Sequence, residues 1–189
     1  YGYPELHFVG ADATGRIVAI ETSEKPLKIY ENPLGILTNA YDFERQLNQL
    51  KDYMTFTPEF EAGTVPLNTP RVTTGSFSGK KVPAGSYTPG SRFIRAAYYK
   101  ERTDRPADEE AGIISMWHLL NGVCVPKSTA YQQNYSIYRA ATVTESLSYY
   151  FESYNRLGVV KLQLTPEMLE RTAPVIYQIP DQLQTFSLN

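Results

Sequence analysis

Cysteine is almost absent from this chain. Cys124 stands alone among 189 residues, which excludes an internal disulfide and a zinc site built on paired cysteines. Histidine is nearly as scarce: His7 and His118 are far apart, with no third ligand beside either, so no resident metal is expected. No nucleotide cofactor is expected either, because Gly75, Gly79, Gly85 and Gly90 scatter through one segment instead of sitting between a strand and a helix. Apolar runs all fall short of the roughly 18 residues that a membrane span requires. A charge excess is missing too. The net charge of −2 offers no basic face to nucleic acid or to an anionic lipid surface. The single cysteine fits a reducing compartment and equally a disulfide-free exported protein, so cytoplasmic and periplasmic or exported settings both stay open. Tyr1 opens the sequence and strand-like residues begin within a few positions, which reads as a start inside a fold whose first part lies upstream.

What the chain does have is tyrosine, fifteen against one tryptophan, a ring favoured in sheets and at half-wet surfaces. Its length and its 42% hydrophobic content suit one domain spanning residues 1–189. The runs Leu6–Asp12 and Ile17–Glu21 flank Ala13-Thr14-Gly15-Arg16, a hairpin signal. A short strand is predicted over Leu27–Tyr30, a turn at Asn32-Pro33, and a brief buried strand at Ile36-Leu37-Thr38 that delivers Asn39. Asp42 is placed to cap a helix whose Phe43, Leu47, Leu50 and Met54 share one face, with Pro58 ending it. Residues 57–90 are rich in Pro, Gly, Ser and Thr, a length at which loops are functional or disordered. Pro89 then starts a helix carrying Arg92, Phe93, Ala96, Ala97 and Lys100. A charged turn leads to another, with a broad apolar face from Ile113, Ile114, Met116, Trp117 and Leu120. Three sequential antiparallel strands are predicted over Tyr135–Thr142, Leu147–Tyr154 and Val159–Leu164. Thr165-Pro166 starts a helix, and the tail from Pro174 is extended. Strands, then helices, then strands indicate an α+β fold with largely antiparallel sheet.

Few residues suggest chemistry on their own. A carboxamide at Asn39, between a buried segment and a helix, is able to donate two hydrogen bonds to a developing oxyanion; an Asn that merely satisfies a turn is the alternative. Arg92 lies in a first helical turn, where the dipole is already positive, with Arg95 three residues on. It is either functional or paired with a carboxylate such as Glu59 or Glu61. Cys124 sits among apolar neighbours that stabilise a thiolate poorly, and reads as a packed, inert thiol. Ser91 lacks the Gly-x-Ser-x-Gly surroundings of a nucleophile elbow.

Several motifs in fixed order carry a resemblance. They are Glu31-Asn32-Pro33, Leu37-Thr38-Asn39, the helix pattern Phe43, Gln46, Leu47, Asn48, Leu50 and Tyr53, then Ser91-Arg92-Phe93-Ile94-Arg95-Ala96. Trp117-His118-Leu119-Leu120-Asn121, Val125-Pro126-Lys127, Tyr149-Tyr150-Phe151 and Ser153-Tyr154-Asn155 follow. Together they resemble the second half of the choloylglycine hydrolase and penicillin V acylase family of N-terminal-nucleophile amidases. The resemblance implies a four-layer αββα sandwich of antiparallel sheets, incomplete in this chain. It implies cofactor-free hydrolysis of a small-molecule amide, such as a conjugated bile salt, penicillin V or an N-acyl amine. In that chemistry an N-terminal Cys attacks and its own α-amino group serves as base. Asn39 matches the family's oxyanion-binding Asn, and Arg92 matches the Arg beside the thiolate. The family's opening Cys, an early Arg and Asp and a further oxyanion-hole residue have no counterpart in these residues. The chain alone is therefore expected to be inactive, with a missing N-terminal segment or companion chain as partner and a homo-oligomer as the assembled form. A catalytically inactive remnant serving as a binding or assembly module is the alternative. Ala40-Tyr41 stands where several members carry a polar residue and Pro, which leaves the preferred substrate open.

Overall fold

The computed structural model of the protein describes residues 6–22, 27–40, 42–54, 65–66, 76–77, 85–128 and 134–188. Its contacts gather into two compact units, Tyr1–Asp104 and Arg105–Asn189. The chain is α+β, and its paired strands are antiparallel.

In the first unit, strands β1 (His7–Ala11), β2 (Ile17–Glu21) and β3 (Lys28–Glu31) form one sheet in sequence order. The β1–β2 turn closes where Asp12 Oδ1 accepts from the amides of Thr14 and Arg16, with Gly15 at φ +81°, a conformation that glycine adopts without strain. Helix α1 (Phe43–Met54) begins as the sequence predicts, with Asp42 Oδ1 accepting from the Arg45 amide at 2.7 Å. A second carboxylate reinforces that start: Glu21 Oε1, buried at the end of β2, accepts from the Phe43 amide at 2.5 Å. Helix α2 (Pro89–Lys100) is capped by Thr88, which accepts from the Ser91 amide, and has Pro in its first turn. Between α1 and α2 a short ladder pairs β4 (Val65–Pro66) with β5 (Ser76–Phe77). Pro58, Glu59, Glu61, Tyr41 and most of the 57–90 segment lie outside the described residues.

The core of this unit lies between one face of the sheet and the two helices. Ala19, Leu34, Phe43, Leu50, Phe93, Ile94 and Ala97 form its buried cluster. Phe43 is its hinge pin: its ring meets Phe93 edge-on at 6.4 Å and Tyr30 at 5.9 Å. The opposite sheet face is apolar and open. Phe8, Ile20 and Ile29 stand in one cross-strand row, with Phe8 47% and Ile29 60% exposed.

The second unit repeats this arrangement. Helix α3 (Glu109–Asn121), capped by Asp108, packs on a sheet of β6 (Tyr138–Val143), β7 (Ser148–Ser153) and β8 (Val160–Gln163). The three strands fall within the predicted runs to a few residues. The apolar face predicted for α3 is not swallowed: none of its residues is buried, and Ile114 is 52% exposed. The reason is that the sheet beneath meets α3 with polar groups. Trp117 Nε1 donates to Glu152, which also pairs with Arg139, and Glu109 accepts from Tyr150 and Lys161. Those bonds hold the Glu109 carboxyl down at about 2, chiefly through Lys161 and then Tyr150. The other sheet face carries Tyr138 and Phe151 in ring contact at 5.5 Å, with Tyr138 well exposed. After β8, Thr165 and Pro166 open the short helix α4 (Pro166–Leu169), without a side-chain capping bond, and residues 171–188 form neither helix nor strand.

One predicted element is corrected. Ile36-Leu37-Thr38 is half-buried and joins no ladder among the described residues. Its backbone is claimed by side chains instead: Asn32 Nδ2 donates to Ile36 O, and Gln46 Oε1 accepts from the Thr38 amide. A strand needs partner strands for its backbone groups, and here carboxamides take that place.

Phe43→Ala is expected to lower the unfolding free energy by about 3–5 kcal/mol, since it empties a fully enclosed aromatic site. Urea unfolding followed by circular dichroism measures this, and a loss below about 1 kcal/mol would contradict the central place of that ring.

Candidate active site

Asn39 and Arg92 meet. Arg92 Nη2 donates to Asn39 Oδ1 at 2.5 Å, across 53 positions of sequence. An arginine only donates, so the carboxamide must present its oxygen to it. Both donor hydrogens of Asn39 Nδ2 are thereby turned away from the guanidinium. Arg92 Nε donates to Tyr87 O at 3.1 Å, and one helical turn later Arg95 Nη1 donates to Ser86 O at 2.6 Å. The two arginines thus grip consecutive carbonyls of the turn that leads into α2.

The guanidinium of Arg92 is half-buried, and its hydrogen-bond partners among the described residues are neutral oxygens. Among the described residues no carboxylate forms an ion pair with it. Its pKa is pushed below the ordinary arginine value, first by burial and then by the Arg95 charge, yet it stays charged, because a guanidinium holds its proton in proteins. Of the two pairing candidates in the sequence, Glu59 and Glu61, neither lies among the described residues.

The turn before Asn39 is built with unusual thoroughness for a loop. Asn32 is fully buried. Its amide donates to Ile17 O on β2, its Oδ1 accepts from the Gly35 amide, and its Nδ2 reaches Ile36 O. Gly35 sits at φ +64°, where an added Cβ would also meet Ile17 Cδ1 at 3.2 Å. Lys100 Nζ donates to Leu34 O from the end of α2, and burial depresses its pKa. The turn is thus tied to a strand on one side and to a helix on the other.

A cleft of about 410 Å³ opens beside β1, the edge strand of its sheet. Leu6, Val9 and Leu37 give it an apolar wall, and His7, Thr38, Asn39 and Arg92 a polar one. His7 is nearly enclosed. Among the described residues its Nδ1 has no hydrogen-bond partner, and Glu21 Oε1 stands 3.9 Å away across the β1–β2 register. The arrangement is able to hold an apolar group against one wall while a neutral donor and a fixed cation face the polar end.

Sequence reasoning picked out Asn39 and Arg92 but passed over His7 and Glu21 as a pair, and over Gln46 as anything but helix pattern. The hairpin register set by Gly15 puts His7 opposite Glu21, which was the available signal for the first. For the second, Gln46 falls three residues after Phe43 and four before Leu50, inside the apolar stripe, and is fully buried there. Cys124 lies in the second unit. It lines a separate pocket of about 320 Å³ with Asn121, Arg139 and Glu152, and has no part in this cleft. His118 is on α3. No group of three or more His, Cys, Asp or Glu side chains suited to a metal ion occurs among the described residues, nor does any helix there have the length and apolarity to cross a membrane.

Residues 1–177 match the model of the linear amide C–N hydrolases of the choloylglycine hydrolase family. The bile salt hydrolase/transferase of Lactiplantibacillus plantarum is 29% identical over 203 aligned residues, covering 97% of this chain and 58% of that protein. The corresponding protein of Clostridium perfringens is 25% identical, covering 87% and 51%. The chain therefore spans only about half the length of the curated relatives it matches. Solved structures share its fold. A variant of the conjugated bile acid hydrolase of Clostridium perfringens superposes with TM-score 0.74 at 22% identity, over 97% of this chain and 57% of that one. Penicillin V acylase from Agrobacterium tumefaciens gives 0.60 at 22% identity, over 85% and 45%. The chain belongs to the choloylglycine hydrolase family.

The Asn39–Arg92 contact is expected to show in a double-mutant cycle. Unfolding of the Asn39→Ala, Arg92→Met and doubly substituted proteins should give a coupling energy of about 1 kcal/mol, the worth of a half-exposed charge-assisted hydrogen bond. Strictly additive effects would mean that the two side chains do not hold each other in solution.

Proposed function

We propose that this member of the choloylglycine hydrolase family is the C-terminal part of a hydrolase that cleaves a linear, non-peptide amide bond. Its nucleophile is an N-terminal Cys supplied by a preceding segment. The two units belong to one four-layer αββα domain in this reading. Support comes from the open apolar faces: the row of Phe8, Ile20 and Ile29 and the Tyr138–Phe151 surface each lie opposite a helix-covered face, as the inner faces of a sandwich do. The same open surfaces favour a companion segment and a homo-oligomer over an isolated monomer.

The observation that carries the reading is the 2.5 Å bond from Arg92 to Asn39. In the proposed chemistry the thiolate of the N-terminal Cys attacks the amide carbon, and the carbonyl oxygen gains negative charge. Asn39 Nδ2 donates to that oxygen. Its orientation is fixed in advance because Oδ1 is already engaged, so little reorganisation accompanies the reaction. Arg92 lies beside the sulfur and favours the thiolate over the thiol. Among the described residues its acceptors are neutral oxygens, which leave its field for that anion. The α-amino group takes the thiol proton and delivers it to the departing amine as the C–N bond breaks. Water then hydrolyses the resulting thioester, which returns the thiol and releases the acid. No cofactor enters.

The substrate class is a conjugated bile salt, penicillin V or another N-acyl amine. The apolar wall of Leu6, Val9 and Leu37 suits the acyl part, and the polar end the amide. In the complete enzyme, Asn39→Ala should lower kcat by about 100- to 1000-fold, as loss of an oxyanion donor does, with KM and thermal stability little changed. Arg92→Met should also lower kcat. The 189-residue chain alone should not turn over glycine-conjugated bile salt or penicillin V, whereas the protein with its preceding segment should. Turnover by the chain alone, or near-normal rates in both variants, would remove the assignment.

A further inference from the structure

Gln46 is a fully buried carboxamide on the inner face of α1, and four of its hydrogen bonds go to the segment that bears Asn39. Oε1 accepts from the Thr38 amide at 3.2 Å and from Thr38 Oγ1 at 3.1 Å, while Nε2 donates to Thr38 O at 3.4 Å and to Ala40 O at 3.3 Å. The carbonyls it holds lie on both sides of residue 39. We propose that Gln46 is the positioning residue of the oxyanion site: it clamps the backbone around Asn39 and so fixes the direction in which Asn39 Nδ2 donates. The inference rests on the oxyanion role given to Asn39.

Three features favour this over a merely structural glutamine. First, a buried carboxamide in an apolar stripe is costly unless satisfied, and these four bonds satisfy it on residues 38 and 40. Second, no strand among the described residues pairs with residues 36–38, so there the clamp fixes a backbone that no ladder holds. Third, α1 is itself anchored to the wall of the cleft. Its first amide donates to Glu21 Oε1, and Glu21 stands across from His7 in the β1–β2 register. Gln46 therefore refers Asn39 to the same sheet that carries His7 and Val9 in the cleft. The Arg92 bond restrains the tip of the Asn39 side chain; the Gln46 bonds restrain its base. An oxyanion donor needs both, because a displacement of about 1 Å at the reacting centre is enough to lose on the order of 100-fold in rate.

Gln46→Leu fills the site without hydrogen bonds, and Gln46→Glu keeps the shape while removing the donor to two carbonyls. Both are made in the complete enzyme, alone and together with Asn39→Ala. Gln46→Leu is expected to lower kcat by about tenfold or more with KM within about twofold, and to add less than about threefold once Asn39 is already Ala, since the two act as one unit. Exchange of the Thr38 amide with solvent deuterium should rise at least about tenfold in the folded variant. Should the leucine variant not fold, Gln46→Glu carries both measurements with the same expected directions. An unchanged kcat, or losses that simply multiply in the double variant, would overturn the proposal, and so would a Thr38 amide that exchanges as in the parent. A Gln46 variant with fast Thr38 exchange and normal kcat would overturn the positioning role and leave the clamp as architecture only. An Asn39→Ala enzyme with normal kcat would instead strike at the oxyanion reading itself, which separates the two failures.

Discussion

A positive charge half out of water, whose acceptors among the described residues are neutral oxygens, is the constraint around which the first unit is arranged. Arg92 draws its bonds from a backbone carbonyl and a carboxamide. Burial takes away part of its hydration, and neutral acceptors return less of it than a carboxylate does. Burial and the neighbouring Arg95 both disfavour its charged form, and it keeps that charge regardless. The surrounding structure has to hold the guanidinium in place. Two things do so: the first turn of α2, started by Thr88 and Pro89, and the carbonyls of the preceding turn, taken in succession by Arg92 and Arg95.

The partner of that charge is delivered by a loop with almost no slack. Asn32, Gly35 and Lys100 fix the turn at its base. Glu21 fixes the start of α1, and α1 in turn holds residues 38 and 40 through Gln46. The Lys100, Glu21 and Gln46 ties cross from one element to another, so the position of Asn39 is decided by β2, α1 and α2 together. Loops that carry function commonly depend on a rigid scaffold. Here the scaffold reaches into the loop through buried polar side chains, which tolerate little change because each leaves an unsatisfied partner when removed.

Much of this was legible in the order of residues. Gly15 between two β-rich runs gave the hairpin, and Asp42 ahead of Phe43, Leu47 and Leu50 gave α1. Pro89 gave the start of α2, and the last three strands fell close to their predicted runs. These signals are local: a cap, a turn or a period lies within a few positions of what it decides. Asn39 and Arg92 were readable as candidates because each sits at a junction between elements. The segment at Ile36–Thr38 was misread as a strand, because apolar content was visible and the side chains competing for its backbone were not. Gln46 and Glu21 were hidden for a related reason. Their roles come from contacts 8 and 22 positions away in sequence, which periodicity does not report. The modest burial of α3 was equally out of reach, since it depends on polar residues of strands that follow much later.

Family membership and the pairing of Asn39 with Arg92 meet in one proposed picture: a neutral donor and a cation waiting beside a sulfur that another stretch of polypeptide contributes. The most direct measurement is the pH dependence of alkylation of the N-terminal cysteine in the complete enzyme, compared with its Arg92→Met variant. If the guanidinium stands beside the sulfur, removing it should raise the apparent thiol pKa by about one unit or more. An alkylation profile that Arg92→Met leaves in place would contradict the account.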